Sequence, residues 1–191
     1  FAGDVNPQAI RVQLSRWVKA GKIIQLRRGL YVLAPPWQKT KPHPFLIANR
    51  LQKASYVSLQ SALSYYNLIP ELVQTVTSVS TGRTEQLSTP LGHFSFQHIK
   101  TELFFAYQAV SLKNQLFFIA EAEKAILDLI YLQTGGDDLT FLEALRLQNL
   151  DNLDLFKLQD IAQRFNSPKM TRACQNIIDL IEREKETYQT L

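Results

Sequence analysis

The sequence predicts an α+β protein: a helix-and-hairpin head, then an α/β body in which a small, mostly antiparallel sheet precedes C-terminal helices. Three observations carry that prediction. An amphipathic stripe at helical spacing is followed by two short apolar runs within the first 33 residues. The middle of the chain alternates Val with Thr and Ser from Val73 to Ser80, then returns to short β-rich runs. From Glu121 onward apolar residues recur at helical spacing.

The head starts at Asn6-Pro7, where Asn can cap free amides and Pro fills a first-turn position that donates no hydrogen bond. Gly21 is the matching stop. Between them Ile10, Leu14, Trp17 and Val18 predict one buried stripe, and the opposite face holds Gln8, Ser15, Arg16 and Lys19, with Arg11 at its edge. Ile23–Leu26 and Leu30–Leu33 then read as a hairpin around Arg27-Arg28-Gly29, with Gly at the tight position and two Arg at the tip. Helix, turn and basic-tipped hairpin follow the order of the second half of a winged helix-turn-helix. That fold has two further helices ahead of its recognition helix, and only five residues precede Asn6. The head, residues 1–34, is therefore expected to be a partial winged helix-turn-helix whose N-terminal helices are missing.

Charge favours the same reading. The first 41 residues hold eight Lys/Arg and one Asp, while the other 150 hold thirteen Lys/Arg against sixteen Asp/Glu, so a head of +7 sits on a body of −3. A basic helix face is often only a solvated face. The added Arg tip and the near absence of acids favour double-stranded DNA as partner, with Gln8, Arg11, Ser15, Arg16 and Lys19 toward the groove and Arg27 and Arg28 on phosphates.

Pro35-Pro36, Pro42 and Pro44 make residues 35–44 a stiff, Pro-rich linker, and residues 45–191 the second domain. Phe45–Gln52 reads as a short helix, and Ser58 as the cap of another through Tyr65. Val73–Ser80, Phe94–Ile99, Leu103–Val110 and Leu116–Ala120 read as four successive strands. Glu121–Gln133, Leu139–Gln148, Leu155–Arg164 and Lys169–Glu186 read as helices.

The longest apolar runs are far short of the roughly 20 residues a transmembrane helix needs. With no signal-peptide pattern and a single cysteine, Cys174, a cytoplasmic location is expected. His43, His93, His98 and Cys174 lack metal-ligand spacing, and no glycine loop of the phosphate-binding kind occurs, so neither metal nor cofactor is expected. One cluster could carry catalysis. Glu121, Glu123, Lys124 and Asp128 have the residue types of a metal-dependent nuclease, although the spacing of Glu121, Lys124 and Asp128 better fits a salt-bridged surface row beside an inner face of Ala125, Leu129 and Leu132, and Glu121 and Glu123 fall in the first turn, where acids favour the helix dipole.

Longer stretches carry a resemblance. Leu14-Ser15-Arg16-Trp17-Val18-Lys19-Ala20-Gly21-Lys22-Ile23 followed by Arg27-Arg28-Gly29-Leu30-Tyr31-Val32-Leu33 is similar to the winged-helix part of the AbiE-type antitoxin family. Ser55–Leu63, Leu68-Ile69-Pro70-Glu71 and Ala120–Leu129 resemble further segments of that family in the same order, so the likeness runs to about Leu132. It implies a cytoplasmic transcriptional regulator of a type IV, abortive-infection toxin–antitoxin system. Such a regulator represses its own operon at inverted repeats and antagonises a nucleotidyltransferase-like toxin without forming a stable complex. The family also holds orphan regulators with no toxin beside them.

Overall fold

A computed structural model describes residues 6–189, with side chains through Arg183. The described residues form a mixed α+β architecture of seven α-helices, a two-stranded hairpin and a six-stranded sheet. Helix α1 (Pro7–Lys19) starts as expected, with the Asn6 side chain accepting from the Gln8 amide at 2.9 Å. It ends in a Schellman turn, in which the Gly21 amide donates to the Val18 carbonyl and the Lys22 amide to the Trp17 carbonyl. Gly21, at φ +65°, supplies the left-handed residue this turn requires.

Strands β1 (Ile23–Arg27) and β2 (Leu30–Leu33) pair antiparallel around Arg28-Gly29. Leu26 belongs to the buried cluster of the body, and Ile24, Leu30 and Val32 pack against that cluster. The hairpin is thus seated on the body by apolar burial, Leu26 alone contributing about 1.5–3 kcal/mol. Helix α1 is not. It contacts β1 but buries none of its residues, so the expected buried stripe is instead a surface on which Ile10 and Trp17 are 42% and 41% exposed.

The 35–44 segment ends against the sheet. The His43 amide donates to Gln115 Oε1, the Gln115 side-chain amide donates to the Lys41 carbonyl, and the His43 ring stacks on Phe117. His43, which reads as a linker residue in the sequence, caps helix α2 (Pro44–Leu51) by accepting from the Phe45 amide.

Strand β3 (Ser55–Val57) and helix α3 (Leu59–Tyr65) follow, then β4 (Thr75–Ser80), β5 (Glu85–Thr89), β6 (Gly92–His98), β7 (Tyr107–Leu112) and β8 (Gln115–Ala120). The strand order is β5-β6-β4-β3-β8-β7. The expected mostly antiparallel sheet is mixed: β6–β4 and β3–β8 are parallel, the other three pairings antiparallel. The difference comes from two strands that the sequence pattern does not expose. β3 is three residues, buried throughout and without alternation, and β5 is a polar edge. β7 begins at Tyr107, after a short 3-10 turn at Thr101–Leu103.

Helix α4 (Ala122–Leu132) packs on α3, and on α6 (Leu155–Arg164) and α7 (Pro168–Gln189). α5 (Leu139–Ala144) stops short of the expected Gln148, and Arg146 adopts a left-handed conformation that no helix continues through. Among the described residues no helix is long and apolar enough to cross a membrane.

Candidate nucleic-acid interface

The expected contact residues divide into two groups. Gln8, Arg11, Ser15, Arg16 and Lys19 all lie exposed on α1, and Arg28 is exposed at the first position of the hairpin turn. Helical spacing puts Gln8, Arg11, Ser15 and Lys19 on one side, away from Ile10, Leu14 and Trp17, with Arg16 at the flank. Arg11, Arg16, Lys19, Lys22 and Arg28 form no ion pair among the described residues. Positive charge that is solvated and unpaired is free to exchange its counterions for phosphates.

Arg27 is placed differently. It is the last residue of β1, not part of the two-residue turn, and its Nη1 donates to the Leu51 carbonyl at 2.7 Å and lies 3.5 Å from Glu85 Oε2. Leu51 ends α2, so this bond satisfies one of the carbonyls a helix end leaves open and ties hairpin to body. The hairpin tip therefore presents one unpaired Arg where the sequence suggests two.

The acidic cluster of α4 is built inward. Lys124 and Asp128 are fully buried and form an ion pair one helical turn apart, which overturns the surface row expected from spacing. Asp128 Oδ2 also accepts from the Ser58 hydroxyl at 2.8 Å and the Tyr56 hydroxyl at 3.0 Å. Lys124 Nζ sits 4.8–5.7 Å from the ring centroids of Phe165, Phe105 and Tyr56. Burial pushes the Asp128 carboxyl up and the Lys124 ammonium down; their mutual attraction acts against both shifts, and the two hydroxyls act against that of Asp128. Ser58, expected as a helix cap, makes no side-chain cap bond because its hydroxyl is committed to Asp128. The next residue, Leu59, is held at φ +58°, a strained conformation for a branched side chain.

Glu121 and Glu123 do not converge with this pair on an open site. Glu121 Oε2 pairs with Lys157 at 3.1 Å, and Glu123 Oε1 accepts the Asp154 amide at 2.9 Å, where α6 begins. Among the described residues no group of three or more His, Cys, Asp or Glu side chains is arranged to hold a metal ion. His93 meets Ser88 and His98 meets the Gly82 carbonyl, each on separate partners.

One cationic feature is not legible in the linear pattern. Arg50 and Lys53, at and just beyond the end of α2, border a groove shared with Tyr107 and Phe118. More than fifty positions separate the two pairs along the chain, and the packing of α2 on β8 brings them together. Neither a protein-family model nor a curated protein sequence matches the chain.

Proposed function

We propose that the chain is a cytoplasmic, DNA-binding transcriptional regulator that represses its own operon and serves as the antitoxin of a type IV toxin–antitoxin system. The observation that carries the DNA-binding part is the set of five exposed cations, Arg11, Arg16, Lys19, Lys22 and Arg28, on one helix–turn–hairpin with no ion-pair partner among the described residues. In this reading α1 is the recognition helix, with Gln8, Arg11 and Ser15 toward base edges and Arg16 and Lys19 on phosphates, and the β1–β2 hairpin is a wing whose phosphate contact is Arg28. The antitoxin part rests on the sequence resemblance in Ser55–Leu63 and Ala120–Leu129. Those segments also supply the buried Tyr56–Ser58–Lys124–Asp128 network that packs the body.

The test is binding to the DNA upstream of its own gene across a salt series. Each lost phosphate contact lowers the slope of log K against log salt by about 0.9. Arg28→Ala is expected to weaken binding to every duplex and lower the slope by about one, while Gln8→Ala and Arg11→Ala change sequence preference. A slope untouched by Arg28→Ala and by Arg16→Ala with Lys19→Ala would remove the head from the reading.

A further inference from the structure

The groove bordered by α2, the segment before β7 and strand β8 has a volume of about 370 Å³ and lies open to solvent. That volume falls within the roughly 300–1,000 Å³ of small-ligand sites. Its wall is aromatic. Tyr107 lies on Tyr56 at 4.8 Å with the ring planes 12° apart, Phe104 tilts against both at 5.0 Å, and Phe118 meets Tyr107 edge-on at 6.0 Å. Tyr56 is fully buried, yet Tyr107 and Phe118 remain 37% and 41% exposed and their neighbour Leu116 55%. Side chains of this size left clustered in water are unusual outside binding surfaces. Arg50 and Lys53 line the same groove, both exposed and without an ion-pair partner among the described residues, and no acidic side chain lines it.

We infer that this groove binds single-stranded nucleic acid, with bases stacked against Tyr107 and Phe118 and backbone phosphates on Arg50 and Lys53. Aromatic rings on a sheet face beside unpaired cations match the two chemical needs of an unpaired strand: a flat apolar partner for each base and counter-charge for each phosphate. An acidic amphipathic peptide would answer the cations but has less use for a ring stack that a base can extend. The Arg27 bond to the Leu51 carbonyl fixes the basic hairpin at the end of α2 that carries Arg50 and Lys53. The groove nonetheless stands on its own residues, and its occupancy does not depend on the head binding duplex DNA.

The experiment is fluorescence anisotropy of the full chain with labelled 12-nucleotide oligo(dT) and oligo(U) and a labelled duplex, at several salt concentrations. Phe118→Ala is expected to weaken single-strand binding about tenfold, and Phe118→Tyr to keep it, because stacking needs a ring and not that ring. Arg50→Ala with Lys53→Ala is expected to lower the single-strand salt slope by about 1.4, at about 0.7 per phosphate. Both groove variants leave duplex binding unchanged, while Arg16→Ala with Lys19→Ala does the reverse. Phe118 faces solvent on β8, and matched denaturation midpoints verify that the variants fold. The inference fails if neither single strand binds at low salt, or if the groove variants bind both as the wild type does. It fails equally if the groove accepts an acidic leucine-rich helical peptide, or mediates self-association abolished by Phe118→Ala, while ignoring both oligonucleotides. Loss of duplex binding alone, with single-strand binding intact, sinks the regulator reading and leaves this one standing.

Discussion

Asp128→Asn tests whether the α4 cluster is a structural ion pair. The substitution keeps an oxygen for the Ser58 and Tyr56 hydroxyls and turns the charged acceptor facing Lys124 into a neutral amide NH2, leaving Lys124 without its bonded acidic partner. The ammonium then has two courses. Staying charged among Tyr56, Phe105 and Phe165 costs several kcal/mol despite their ring faces. Releasing its proton at pH 7 costs about 5 kcal/mol, given the ordinary lysine pKa. The cheaper course sets the loss at about 3–5 kcal/mol, a large part of a typical stability of about 5–15 kcal/mol. In a chain of 191 residues that lowers Tm by on the order of 10 °C. The assay is urea and thermal unfolding of both proteins by circular dichroism, repeated at pH 7, 8 and 9.

The pH series carries the sharper sign. In the variant, burial depresses the folded-state Lys124 pKa with no carboxylate to raise it again, so the unfolded chain binds the proton more readily. Stability of the variant therefore rises with pH from the depressed folded-state pKa up to the ordinary lysine value, by at most about 1.4 kcal/mol per unit from one lysine. The gap to wild type is expected to narrow between pH 7 and pH 9, by at most about 2–3 kcal/mol. Lys124→Met combined with Asp128→Asn is expected to cost less than Asp128→Asn alone, because no charge is then left unpaired. A loss below about 1 kcal/mol at pH 7, with no narrowing at pH 9, would refute the argument that Lys124 and Asp128 form a sealed structural ion pair within α4.

Two other predictions concern burial. Cys174 is 6% exposed and burial pushes its thiol up, so at pH 8 the reactive thiolate is scarce as well as inaccessible; labelling by a disulfide reagent is expected to track unfolding across a urea series, and rapid labelling in native buffer would contradict it. Trp17→Ser is expected to change stability by less than about 1 kcal/mol in the same urea assay, since the ring packs in no core, whereas a larger loss would mean that the α1 stripe is covered in solution.

The parts of the fold that were legible in the sequence are those in which one segment decides its own structure. Asn6-Pro7, Gly21 and the Arg28-Gly29 turn act through local backbone geometry, so helix α1 and the hairpin lie where the residues put them. Partnership was not legible. Ser58 has the residue type of a cap, and nothing within its own segment announces that its hydroxyl goes to a carboxylate seventy positions away. Lys124 and Asp128 have the spacing of a surface pair, and whether such a pair faces water or core depends on which helices close over α4. β3 was hidden for a related reason: a short central strand buried on both faces shows no alternation.

Arg27 shows how a partnership of this kind changes a functional argument. Read alone, two adjacent arginines at a hairpin tip are two phosphate contacts. In place, one of them closes the end of α2 and meets Glu85, and only the other is left for a ligand. The seating of the hairpin on the body then rests on Arg27 together with Leu26 and the apolar side chains beside it. Because α1 buries no residue of its own and contacts the hairpin through β1, its presentation follows from how the hairpin is seated. Removing the Arg27 side chain therefore perturbs the whole basic head, whereas removing Arg28 perturbs one contact. A loss of duplex affinity greater for Arg27→Ala than for Arg28→Ala, with a smaller change in salt slope, is the signature of orientation rather than of counter-charge.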